Sequence, residues 1–144
     1  MKLWRKVLVC IFVFQFASCN LFSAEKCPYS VKAQLVFDDS ECYDFMGLDF
    51  QIKNNDVRAI QELTLVFYVF DGDGEPASGV KNNIVLKLKC EIPGGELLDD
   101  CISLDKYVYN LDSENYEIDY LYVSKIVYDD GTVWSDPFGN MLLN

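Results

Sequence analysis

The chain has 144 residues, 51% hydrophobic and 15% aromatic, which gives room for one ordinary domain and far too much apolar content for a disordered one. Its 23 acids against 12 bases set the net charge at −11, a surface that repels phosphate backbones and argues against nucleic acid as a partner. There is no His, so triads of the Ser-His-Asp and Cys-His kinds are excluded and the commonest zinc ligand is missing.

Lys2, Arg5 and Lys6 make a positive start, and Val7 to Phe16 follow as an apolar run broken only by Gln15. That run is too short to span a bilayer, which takes roughly 20 residues, and it has the layout of an export signal. The next residues, Phe16-Ala17-Ser18-Cys19, resemble the bacterial lipobox, in which small residues precede a Cys whose thiol receives diacylglycerol. The resemblance implies a lipoprotein signal peptide over 1–18, lipidation of Cys19, a tether over 19–27 and one domain over 28–144. The membrane would then be a partner through N-terminal acyl chains, since two or more chains hold a protein stably where one does not. Asn20 stands where an Asp would retain such a protein at the inner membrane, so the resemblance implies export to the cell envelope, with the outer membrane favoured over the inner. Two other readings stay open: cleavage after Ala24, or a leader that is not removed. Loss of the leader's three bases would take the net charge from −11 to −14.

Beyond the tether, Val31, Ala33, Leu35 and Phe37 alternate with Lys32, Gln34 and Val36, the period of a half-buried strand. Asp38-Asp39-Ser40 then turns the chain. Met46, Leu48, Phe50 and Ile52 make a second strand, closed by Asn54-Asn55-Asp56. Leu63 to Phe70 is apolar on both faces, which places it centrally with one face lidded. Ile84 to Cys90 turns Lys87 and Lys89 outward, as an edge strand does to blunt pairing with other chains. After Pro93-Gly94-Gly95 comes a weaker strand, Leu97 to Leu104. Tyr116 to Tyr128 is long, with Ile118, Tyr120, Tyr122, Ser124, Ile126 and Tyr128 expected on one face. Asp129-Asp130-Gly131-Thr132 is a hairpin signal leading to Val133 and Trp134. Seven short strands and no convincing amphipathic helix predict an all-β, antiparallel β-sandwich.

Two stretches, Val66-Phe67-Tyr68-Val69-Phe70-Asp71-Gly72-Asp73-Gly74 and Lys125-Ile126-Val127-Tyr128-Asp129-Asp130-Gly131-Thr132-Val133-Trp134, give the chain its likeness to the immunoglobulin-like and fibronectin-III-like domains of bacterial surface lipoproteins. No Trp lies between Cys42 and Cys101, so it is not of the antibody type. The resemblance implies a non-enzymatic, lipid-anchored binding or adhesion module with a protein or glycan partner. The alternative is a structural or accessory subunit of an envelope complex.

With Cys10 in the leader and Cys19 lipidated, Cys27, Cys42, Cys90 and Cys101 remain, an even set in an oxidising compartment. If strands run up and down in order, Cys27 lies level with Cys90 and Cys42 level with Cys101, which favours those two disulfides. Cys90–Cys101 with Cys27–Cys42 is the alternative. The spacings lack the close pairs of a zinc site, so no metal is expected there. Asp71, Asp73 and Glu75 resemble the start of a calcium loop, but Pro76 stands where that loop needs Gly, so a solvated turn is the simpler reading. No catalytic residues and no cofactor are expected. Tyr107, Tyr109, Tyr120, Tyr122 and Trp134 are the candidate ligand surface, because Tyr offers large contact area at low entropic cost. The competing role for these residues is to fill sheet faces.

Overall fold

The period-two segments become seven strands. The computed structural model describes residues 26–40, 43–77, 83–107 and 116–143. Its strands are β1 (Tyr29–Ser40), β2 (Tyr43–Asn54), β3 (Ile60–Asp71), β4 (Ile84–Ile92), β5 (Leu97–Ser103), β6 (Tyr116–Tyr128) and β7 (Val133–Ser135), followed by a single 3₁₀ turn, Asn140–Leu143. Strands β1-β2-β5 form one antiparallel sheet and β4-β3-β6-β7 the other. The hairpins β1–β2, β3–β4 and β6–β7 stay within a sheet, while the chain changes sheet after β2, β4 and β5. This is an immunoglobulin-like β-sandwich, as the sequence predicts. β3 is central and the lysine-bearing β4 is an edge, also as expected.

The inner faces meet in one core. Met46, Leu48, Phe50 and Ile52 of β2 lie against Leu63, Leu65, Phe67 and Val69 of β3 and against Val123, Ile126 and Tyr128 of β6. Each fully buried side chain of this size contributes about 1.5–3 kcal/mol by leaving water, so these two central strands and β6 carry most of the fold.

β6 departs from simple alternation. Its register against β3 runs Thr64↔Lys125, Leu65↔Val123, Val66↔Tyr122 and Tyr68↔Asp119, so one extra residue is inserted at Ser124 and another at Tyr120–Leu121. Each bulge reverses the side-chain parity. The core-facing positions are therefore Ile118, Leu121, Val123, Ile126 and Tyr128, and the single face expected from Ile118 to Tyr128 is broken. The physical reason is chemical. Leu121 and Val123 have no polar atom to satisfy, whereas Tyr120 and Tyr122 would bring hydroxyls that need partners inside.

Side-chain hydrogen bonds tie the elements at one end. Asn54 is fully buried; its amide donates to the carbonyls of Arg58 (2.7 Å) and Ile92 (3.0 Å), and its oxygen accepts from the Asp56 N–H. The β4–β5 turn packs so closely here that a Cβ on Gly94 would lie 2.5 Å from the Val57 carbonyl oxygen. Beside it, the Arg58 guanidinium pairs with Asp56 at 2.6 Å and sits 3.8 Å from the centre of the Tyr128 ring. Across the sandwich, the Tyr29 hydroxyl accepts from the Val123 N–H, next to the Ser124 bulge, and the Tyr29 ring meets Trp134 edge-on at 5.7 Å.

The expected Cys27–Cys90 disulfide is corrected, while Cys42–Cys101 has a member outside the described residues. Cys27, Cys90 and Cys101 are free thiols, and Cys42 lies outside the described residues. Cys27 is level with Cys90, as argued from strand direction: Pro28 bonds to Asn55, and Asn54 to Ile92. Their partners differ, however: the Cys27 thiol donates to the Tyr29 carbonyl at 3.2 Å, while Cys90 lies on β4, the edge strand of the four-stranded sheet. Cys101 sits opposite Asp49 on the outer face. Cys90 packs toward the core and Cys101 faces out, so the alternative Cys90–Cys101 bridge does not form either.

Candidate aromatic binding face

The candidate ligand residues separate. Trp134 pairs with Ile126 and packs, like Tyr107, against the core. Tyr109 and the lipidation candidate Cys19 lie outside the described residues. Tyr120 and Tyr122 remain, and the β6 bulges carry both to the outer face of the four-stranded sheet. There they join Tyr68 of β3, which the sequence reading did not single out.

The rows of this face follow from the register. Asn83, just before β4, donates its amide to the Tyr68 hydroxyl at 3.5 Å, and Tyr68 lies opposite Asp119. The next row is Val85, Val66 and Tyr122; the one after it is Lys87, Thr64 and Lys125. Tyr68 and Tyr120 meet edge-to-face, with ring centres 5.9 Å apart at 81°. Tyr120 is 61% exposed and Val85 is 44% exposed.

Tyr120 is held in an unusual backbone state. Its φ is +53°, and among the described residues it is the one non-glycine with positive φ. For a bulky L-residue that conformation is strained by about 1–3 kcal/mol. The Asp119 carboxylate, which accepts the Tyr120 N–H at 2.8 Å, helps to hold the bend. An exposed aromatic side chain is thus presented at the expense of local strain, a combination that clusters at functional sites.

Tyr122 is the fixed member of the trio. Its hydroxyl donates to the Pro137 carbonyl at 3.2 Å, and Gly139 lies so close to its ring that a Cβ there would come within 2.9 Å. Burial, then the neighbouring Tyr68 and Asp136, push its phenol pKa up. Asp136 anchors the covering segment by accepting the N–H groups of Asn140 and Met141. Phe138, between the two residues that touch Tyr122, is 81% exposed.

The remaining candidates are closed on themselves. The Asp71 carboxylate accepts the N–H groups of Asp73 and Glu75 within its own turn, and among the described residues no three acids or thiols gather as a metal site. A shallow depression on the outer face of β1 and β2 is floored by Gln34–Asp49 and Gln51–Asp99 hydrogen bonds, so its amides and carboxylate are already paired. Burial pushes the Cys90 thiol up to about 11, and burial with Asp49 and Asp100 raises Cys101, so neither thiol is poised as a nucleophile. Comparison of the chain with protein-family models, with curated proteins and with solved structures finds no match.

Proposed function

We propose that the chain is a non-enzymatic, lipid-anchored protein of the bacterial cell envelope that works as a binding or adhesion module through the Tyr68–Tyr120–Tyr122 face. The observation that carries the binding half is Tyr120, an exposed ring kept in a strained backbone state and backed by a second ring. The anchor rests on the leader: Lys2, Arg5 and Lys6, the apolar run, then Ala17-Ser18-Cys19. An accessory role in an envelope complex is the second reading, and the exposed Phe138 favours it as a contact for a fixed partner.

The mass of the N-terminal peptide from protein purified out of its native membrane tests the anchor. A diacylglyceryl group on Cys19 is the expected result. An unmodified start at Glu25 would make the protein a secreted domain and end both tethered readings. Crosslinking in intact cells then separates an external ligand from a fixed envelope partner.

A further inference from the structure

We infer that the Tyr68–Tyr120–Tyr122 face takes a neutral, hydroxyl-rich chain, an oligosaccharide or polysaccharide, with a sugar ring laid on Tyr120. This rests on the reading that the face is a binding surface, and it adds the chemical class of the ligand.

The charge layout argues for neutrality. Glu117 and Asp119 are exposed toward one end of the face, and Lys87 with the Lys125–Glu62 ion pair (3.9 Å) toward the other, with the tyrosines and Val85 between them. A polycation laid along the face meets the lysines, and a polyanion meets the carboxylates. A polyol has no such conflict, because each hydroxyl both donates and accepts. Carboxylates accept from it, lysines donate to it, and the Asn83 amide and the tyrosine hydroxyls do either.

The aromatic geometry argues for a ring with an apolar side. Tyr68 approaches Tyr120 edge-to-face, which supports the side chain while leaving Tyr120 largely open to solvent. The C–H face of a pyranose is flat and apolar and fits such a surface, while its hydroxyls point sideways to the polar rim. Openness argues for a chain rather than a small molecule. A small ligand is held in a cleft that buries most of it, whereas this face is an open sheet surface that spans β4, β3 and β6, with Tyr120 and Val85 exposed on it.

The test is a calorimetric titration of the purified full chain with neutral cello-, chito-, manno-, xylo- and laminari-oligosaccharides, with heparin and polylysine as charged probes. The expected result is binding of at least one neutral series that does not change with added salt and weakens roughly tenfold or more in Tyr120→Gly and Tyr68→Ala. Tyr120→Phe keeps most of it. Glycine suits the positive φ, so Tyr120→Gly removes the ring without disturbing the strand. If no neutral series binds, or if its binding is untouched by Tyr120→Gly, the inference is overturned. Salt-sensitive binding of heparin or polylysine alone that Tyr120→Gly abolishes overturns the neutral class and leaves the binding face standing. If no probe responds to Tyr120→Gly, the binding-face reading falls with it.

Discussion

Tyr120 presents a balance of small terms that substitution can separate. Its left-handed conformation costs about 1–3 kcal/mol for a bulky L-residue, and its edge-to-face contact with Tyr68 returns about 0.5–1.5 kcal/mol. Tyr120→Ala keeps the strain and loses the ring contact. Tyr120→Gly loses the contact and relieves the strain, against about 0.5–1 kcal/mol for the extra freedom of glycine in the unfolded chain. Tyr120→Gly is therefore expected to be the more stable of the two by about 1 kcal/mol, and close to the parent protein. Denaturant midpoints of the three proteins decide it. An alanine variant clearly more stable than the glycine one would mean that the strain at residue 120 is smaller than the entropic cost of glycine, and the main reason for treating Tyr120 as functional would disappear.

Among elements, β1 and β6 are joined by one hydrogen bond of unusual weight. The Val123 N–H is buried beside a bulge, and the Tyr29 hydroxyl, from the opposite sheet, is its acceptor. Tyr29→Phe keeps the ring against Trp134 but leaves that N–H without a partner, which is expected to cost about 1–3 kcal/mol. Thermal melting of Tyr29→Phe checks the value, and a change below 0.5 kcal/mol, within the range of an ordinary surface substitution, would show that water replaces the hydroxyl. The same region marks the limit of what the sequence reveals. Alternating apolar residues and Asn, Asp and Gly turns made all seven strands legible, and Lys87 with Lys89 made β4 legible as an edge. The bulges in β6 were not, because Tyr120, Tyr122 and Ser124 continue a formal period of two while the apolar pattern Leu121, Val123 shifts beneath it. That one shift decides which tyrosines reach the surface, so the binding face was only half visible. The expected Cys27–Cys90 bridge failed for a related reason. Strand direction gives the height of a cysteine in the sandwich, but only sheet order, which depends on long-range pairing, gives its lateral place.

For the whole molecule, excess acid and buried protons bound the pH range of stability from opposite sides. On the acid side, the hydrogen bond from Arg58 holds the Asp56 carboxyl well below its ordinary value, so the contribution of this pair is complete above the ordinary carboxylate range and is lost as pH falls through the native value. On the alkaline side, burial pushes Cys90 from 9.0 up to about 11, and Tyr29 and Tyr128 from 10.0 up to about 12. Between the ordinary and native values the unfolded chain has released these protons and the native one still holds them. The unfolded state then binds fewer protons, so stability falls as pH rises. Stability is therefore expected to be flat to about pH 9 and to decline from there to about 12, with Cys90, Tyr29 and Tyr128 contributing most and the raised Cys101 and Tyr122 adding to them. The excess negative charge steepens the decline, because each ionised phenol or thiol adds to a chain already at −11. Urea midpoints measured from pH 7 to 11 at fixed ionic strength test this, with Tyr29→Phe as the internal control, since its curve should lose part of the slope above pH 10. A midpoint that holds constant to pH 11 in the parent protein would mean that the phenols and the thiol reach water in the native state, and the closed core at the β6 end of the sandwich would have to be abandoned.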